Sequence, residues 1–200
     1  WLGRYKRQVL RIYVLVIGNT GMRPGGEPLN LKWKHVELFK KPASKRETFQ
    51  VELLKDDEEA AASDDTYLRF MVSGKTAKHE TEGHRSVIPR QRVKLWLDQL
   101  KELTGRTDDE DYLFCLPDGS PIKDFPHMFT SLLIDCNLLC DADENRRTLY
   151  SLRHMYATFR ILYANAPYEL LALQMGTSVN MIEQHYSHLK VEDSAELLAS

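Results

Sequence analysis

Four side chains in this 200-residue sequence stand where their chemistry could be used. Arg23 sits in Thr20-Gly21-Met22-Arg23-Pro24-Gly25-Gly26-Glu27, a corner that proline and glycine stiffen. Arg153 sits in Tyr150-Ser151-Leu152-Arg153-His154-Met155-Tyr156, on a helical pattern whose Leu149, Leu152 and Tyr156 are apolar. A charge there calls for a cleft. Lys75 occupies a turn, Gly74-Lys75-Thr76, and Tyr186 lies in Gln184-His185-Tyr186-Ser187-His188. Two arginines held in place suit phosphate, because each planar guanidinium donates two parallel bonds and keeps its charge at any working pH. Taken singly, an arginine is usually a surface ion pair and a turn lysine is usually solvated. Their combination is what calls for explanation.

Other catalytic templates are missing. The chain has no Gly-x-x-x-x-Gly-Lys-Ser/Thr loop, no Gly-x-Ser-x-Gly elbow and no His-Glu-x-x-His pair. Cys136 and Cys140 would be one helical turn apart on a helix over 124–139, but leucines surround them and no second pair completes a metal site. His185 and His188 also lack partners at ligand spacing. No metal and no cofactor is expected.

The elements that must position these residues are mostly helices. Leu2, Tyr5, Val9, Ile12, Tyr13 and Val16 recur at three- and four-residue spacing, which predicts an amphipathic helix over 1–17, stopped by Gly18-Asn19. A short helix is expected over 27–31. Residues 55–65 are a polar run that reads as an insertion. Alternation of Leu68, Phe70 and Val72 predicts a strand over 67–73, with 86–89 as its hairpin partner and Lys75 in the connecting loop. Further helices are expected over 90–103, 124–139, 147–163 and 168–175. Ser178 can cap another that ends at Tyr186, and a last one covers 191–198. The fold class is therefore α+β, mainly α-helical, with a small antiparallel β-sheet.

Composition argues the other way at first. The formal net charge is −2, with 42% hydrophobic and 28% charged residues, whereas nucleic-acid binders are usually strongly basic. The distribution matters more. Residues 1–50 carry +8 and 67–101 carry +5, while 51–66 carry −6 and 102–145 carry −9. Two basic blocks could share one face, giving a basic cleft and an acidic back. No run approaches the roughly 18 apolar residues of a membrane span, and the opening residues lack the apolar core of a secretion signal. With an odd count of three cysteines, a reducing cytoplasm is expected.

The ordered motifs resemble the catalytic domain of the tyrosine recombinases, the phage integrase family. Thr20-Gly21-Met22-Arg23 with Leu31-Lys32-Trp33 resembles the first box, and Gly74-Lys75-Thr76 with Val87-Ile88-Pro89 the hairpin that carries a catalytic lysine. Leu152-Arg153-His154 with Ala157-Thr158 resembles the second box. Met175-Gly176-Thr177-Ser178 and Tyr186-Ser187-His188 resemble the third box and the nucleophile segment. The likeness runs from about Gly18 to Leu189.

The resemblance implies that Tyr186 attacks the scissile phosphate and that Arg23 and Arg153 clamp its non-bridging oxygens. Lys75 would protonate the departing 5′ oxygen, with Lys78 as the alternative, and Glu27 would support the first box. Lys78, Arg85 and Arg147 are expected on DNA. Tyr150 stands where the family commonly has histidine, and Thr177 where it has histidine or tryptophan. Each keeps a hydroxyl but no imidazole. The implied partner is double-stranded DNA at a core-type recombination site, with a tetramer on DNA for the full-length protein and a monomer for this domain alone. The whole chain, 1–200, is expected to be one catalytic domain without the family's N-terminal core-binding domain, working in the cytoplasm at the nucleoid. A catalytically silent DNA-binding relative, a type IB topoisomerase-like relaxing enzyme and a helical interaction module are the rival readings.

Overall fold

A computed structural model describes residues 1–40, 66–73 and 83–193, with side chains described through Tyr186. The expected insertion, the turn bearing Lys75 and Lys78, and the helix expected over 191–198 lie largely or wholly outside the described residues.

The first helix, α1 (Leu2–Gly18), buries all of the predicted stripe but its first member: Tyr5, Val9, Ile12, Tyr13 and Val16 lie in the core, while Leu2, in the first turn, is exposed. Burying such side chains is worth about 1.5–3 kcal/mol each, so this stripe fixes which way α1 faces. Tyr13 is its centre. Its ring meets Phe114 edge-on at 5.2 Å and Phe125 at 4.7 Å, while its hydroxyl accepts a hydrogen bond from Gly25 N at 3.0 Å. One buried phenol thus ties the helical core to the corner that follows Arg23.

α1 ends at Gly18, where its sequence stops it, although Asn19 keeps a negative φ of −115°; the positive φ values fall at Gly21, +68°, and at Gly25 in the predicted corner, +99°. A Cβ at Gly21 would stand 2.4 Å from Tyr156 Cδ1, so both the turn and the packing of a later helix need glycine. A short helix α2 (Gly26–Leu29) follows, then a 3-10 turn (Trp33–His35).

Among the described residues the sheet has three antiparallel strands in the order β1-β2-β3: β1 (Val36–Lys40), β2 (Thr66–Ser73) and β3 (His84–Val87). Phe70 is the pivot, paired to Val36 on one side and Val87 on the other, and fully buried. β2 pairs antiparallel with β3 as predicted, but β3 spans His84–Val87, two residues earlier than the expected 86–89. β1 is an addition, since no predicted strand covers 36–40. Its pattern is weak because it is an edge strand with Leu38 exposed.

Helices α3 (Val93–Thr104) and α4 (Pro126–Asp135) pack against α1. α4 is shorter than expected, so Cys136 and Cys140 lie beyond its end, both exposed and not a helical turn apart within it. Three more helices follow among the described residues: α5 (Leu149–Leu162), α6 (Tyr168–Met175) and α7 (Val179–Asp193). They share a second core of Tyr156, Ala157, Ile161, Leu171, Ala172, Met175, Ile182 and Tyr186. α7 runs on past Tyr186, which therefore sits inside a helix and not at its end. Among the described residues no helix is long and apolar enough to cross a membrane.

Burial pushes the phenols of Tyr5, Tyr13 and Tyr186 up to about 12, from 10.0. Above pH 10 the unfolded chain has released these protons and the folded one still holds them, so stability falls as pH rises. The unfolding midpoint should therefore drop steadily between pH 10 and 12, in step with tyrosine ionisation followed by absorbance. A level midpoint across that range would contradict the burial of these hydroxyls.

A candidate phosphate-binding site

The site is assembled at the C-terminal end of α6. The last carbonyls of a helix have no partner within it and carry the negative end of its dipole. Here Gly176 caps α6 in the left-handed region, at φ +65°, and three successive carbonyls each receive an arginine. Arg85 Nη1 donates to Gln174 O at 2.7 Å. Arg153 Nη1 donates to Met175 O at 2.7 Å. Arg23 Nη2 donates to Gly176 O. The three arginines come from β3, from α5 and from the corner after α1, so these bonds join parts of the chain that are remote in sequence.

Glu27 balances the cluster. Its Oε1 accepts from Arg23 Nη1 at 2.9 Å, and its Oε2 accepts from Arg23 N at 2.9 Å and from Arg85 Nη2 at 2.6 Å. The first turn of α2 places this carboxylate directly under the Arg23 corner. Arg153 also donates from Nη1 to Gly21 O at 2.6 Å. Only 4% of Arg153 is exposed, and burial together with the nearby charge of Arg23 lowers its pKa. Both bonds of Arg153 use Nη1, and its Nη2 and Nε make no hydrogen bond among the described residues. Those are the donors a phosphate oxygen would use.

Thr148 fixes the start of α5, and hence the aim of Arg153. Its side chain accepts from Tyr150 N at 3.2 Å, while Thr148 N donates to Ser151 Oγ at 3.0 Å. Beside Arg153 on the same helix stands His154, whose Nδ1 lies 2.5 Å from Tyr186 Oη on α7. Tyr186 is buried, and burial raises its phenol to about 12 despite the opposing charge of Arg153. Desolvation, then His185 and Arg153, lowers the His154 pKa.

The expected site residues separate into groups. Arg23, Glu27, Arg153 and Tyr186 come together, with Tyr150 exposed at the edge and its ring 6.0 Å from the Arg153 guanidinium. Thr177 follows Gly176 directly, half-buried, and its N–H donates to Ala172 O at 2.9 Å. Arg85, expected on DNA, is instead turned inward. It is 6% exposed and committed to Glu27 and Gln174 O, because a buried carboxylate beside a helix end needs a second cation. Arg147, also expected on DNA, donates through Nη1 to the carbonyls of Leu138 and Cys140 and braces the loop behind α4.

Two residues of the site had no assigned role in the sequence. His154 was one position from a recognised arginine, and only the packing of α5 on α7 gives it a partner. Gln174 is the one amide in an otherwise apolar stretch of α6. Its Nε2 donates to Thr20 O at 3.1 Å and Ile88 O at 2.8 Å, and its Oε1 accepts from Ile88 N at 3.0 Å. It thereby locks the corner and the end of β3 to α6.

No family model and no curated protein sequence matches the chain. Solved structures do. The integrase of transposon Tn1549, in complex with transposon right-end DNA, superposes with a TM-score of 0.56 at 17% identity, over 96% of this chain and 60% of that one. The site-specific recombinase XerH, bound to a palindromic difH substrate after cleavage, gives 0.59 at 17% identity, over 100% of this chain and 52% of that one. The recombinase XerA gives 0.53 at 16% identity, over 90% and 57%. This chain therefore has the fold of a tyrosine recombinase catalytic domain, and it spans between half and three-fifths of the length of those proteins.

The arginine cluster yields a stability test. Glu27→Ala leaves Arg85 buried without its counter-charge and should lower the unfolding free energy by about 3–5 kcal/mol. Gly176→Ala must hold a positive φ and put a Cβ 2.5 Å from Arg85 Nε, costing more than about 1 kcal/mol. Urea denaturation of both variants measures these losses. Unchanged midpoints would show that the cluster does not hold the fold together.

Proposed function

We propose that this chain breaks and rejoins DNA strands at a phosphodiester through a covalent 3′-phosphotyrosine on Tyr186, as a site-specific recombinase or integrase. One observation carries the reading: Arg23 and Arg153 are anchored on consecutive carbonyls of one helix end, with Arg153 charge reaching a buried tyrosine hydroxyl. Folds shared with a DNA-bound integrase and a DNA-bound recombinase support it.

In this scheme Tyr186 Oη forms a bond to phosphorus as the bond to the 5′ oxygen breaks. Arg23 and Arg153 take up the charge that grows on the non-bridging oxygens. Because their guanidiniums are already fixed by Gly176 O, Met175 O, Gly21 O and Glu27, little reorganisation is needed as that charge develops. Tyr150 and Thr177 offer hydroxyls at the rim. The 5′ oxygen leaves with a proton from Lys75, or from Lys78, both of which lie outside the described residues. The phosphotyrosine keeps the energy of the broken ester, so the strand can be resealed or passed to a new 5′-hydroxyl without ATP. The scheme calls on no metal and no cofactor. The partner is double-stranded DNA, with self-association into a tetramer on DNA in the full-length protein, and the expected setting is the cytoplasm.

A nicked suicide duplex, selected from a randomised pool by the protein's own binding, tests this. Cleavage releases a short 5′-terminated strand and traps the protein on DNA. An adduct that survives SDS should form with the wild type and not with Tyr186→Phe. Arg23→Ala and Arg153→Ala should each slow its formation about 10²–10³-fold. Binding without any adduct would instead establish a catalytically silent DNA-binding protein. Relaxation of a supercoiled plasmid without exchange of strands would establish a topoisomerase-like enzyme.

A further inference from the structure

Tyr186 must lose a proton to attack, and its surroundings oppose that loss. Burial holds the phenol at about 12, so about one molecule in 10⁵ carries a phenolate at neutral pH. The position that commonly supplies an imidazole in the second box holds Tyr150, a phenol exposed at the edge of the site. Another imidazole stands closer to the hydroxyl: His154 Nδ1 is 2.5 Å from Tyr186 Oη.

Resting on the reading of Tyr186 as nucleophile, we infer that His154 is the general base that takes the Tyr186 proton and, on rejoining, returns it. The geometry meets the first requirement, a hydrogen bond between base and nucleophile. Protonation state meets the second. The groups facing His154 are Tyr150 and Arg153 on its own helix and His185 and Tyr186 on α7. Partial burial opposes a charge on the ring most, and His185 and the Arg153 cation add to this, so its pKa is lowered from the usual 6.5. The ring is then neutral at pH 7, and with its proton on Nε2 it presents a lone pair at Nδ1.

The step balances. The Oη–H proton passes to His154 Nδ1, giving an imidazolium, while an Oη lone pair forms the bond to phosphorus. The 5′ oxygen leaves with its bonding pair and takes a proton from the lysine donor. On rejoining, a 5′-hydroxyl attacks phosphorus and passes its proton back to the lysine that donated one, Tyr186 Oη departs with its bonding pair, and the imidazolium gives Oη its proton back.

Two measurements test this. The first needs no DNA: ¹⁵N chemical shifts of the His154 ring in the chain itself should show the Nε2–H tautomer with Nδ1 accepting. An Nδ1–H tautomer, with the imidazole donating to Oη, overturns the inference. The second uses the selected suicide duplex and His154→Asn. Asparagine can accept the same hydrogen bond, so it preserves positioning, but it cannot carry the proton away. Adduct formation should slow about 10²–10⁴-fold, and the acid limb of the wild-type pH profile, set below 6.5, should disappear. Wild-type rate or an unchanged acid limb in His154→Asn overturns the role of His154 alone, provided that Tyr186→Phe abolishes the adduct. An adduct that persists in Tyr186→Phe, or none from the wild type, overturns the nucleophile and the base together.

Discussion

The architecture depends on three guanidiniums meeting the last two carbonyls of one eight-residue helix and the carbonyl of its glycine cap. Each carbonyl is an orphan acceptor that the helix cannot satisfy, and each arginine is a charge that a folded interior tolerates only with partners. Satisfying both at one point explains much of the surrounding design. Gly176 must be glycine so that the chain can turn there with Arg85 against it. Gly21 must be glycine so that its carbonyl can face Arg153 while Tyr156 packs on its Cα. Among the described residues, Glu27 supplies the carboxylate in contact with both Arg23 and Arg85.

A positive cluster of this kind is costly to fold, since like charges are held close together. The cost has a chemical return if an anion is bound there, because donors fixed in advance stabilise developing charge without rearranging. The division of labour among the arginines follows from their exposure. Arg85 is sealed between Glu27 and Gln174 and acts as a brace. Arg23, a third exposed, reaches the open side, and Arg153 keeps two nitrogens without hydrogen bonds among the described residues. The proposed chemistry therefore needs two arginines at the phosphate and a third that holds the other two in place.

Much of this was legible in the chain. The stripe of α1, the pairing of β2 with β3 and the helical end of the protein follow from periodicity, which needs only local information. Arg23 and Arg153 were marked by being charged in a stiffened or an apolar setting, and Tyr186 by the motif that carries it. Less legible were features whose meaning lies in a partner distant in sequence. Strand β1 is half-exposed, so it leaves little alternation to read. Arg85 looks like any surface cation until Glu27, 58 positions earlier, is seen to hold it. The basic and acidic blocks along the sequence likewise gave charge but not direction.

The sequence by itself determined most of the element types, their apolar faces and which charged and hydroxyl side chains stand in unusual settings, because side-chain pattern and charge are local properties. The tertiary structure alone decided how they are used. It turned Arg85 inward, set Gln174 between the corner and β3, and placed the His154 ring on the Tyr186 hydroxyl. Each of these depends on where α6 ends and how α5 meets α7. That is a matter of packing between helices, which no window along the chain contains.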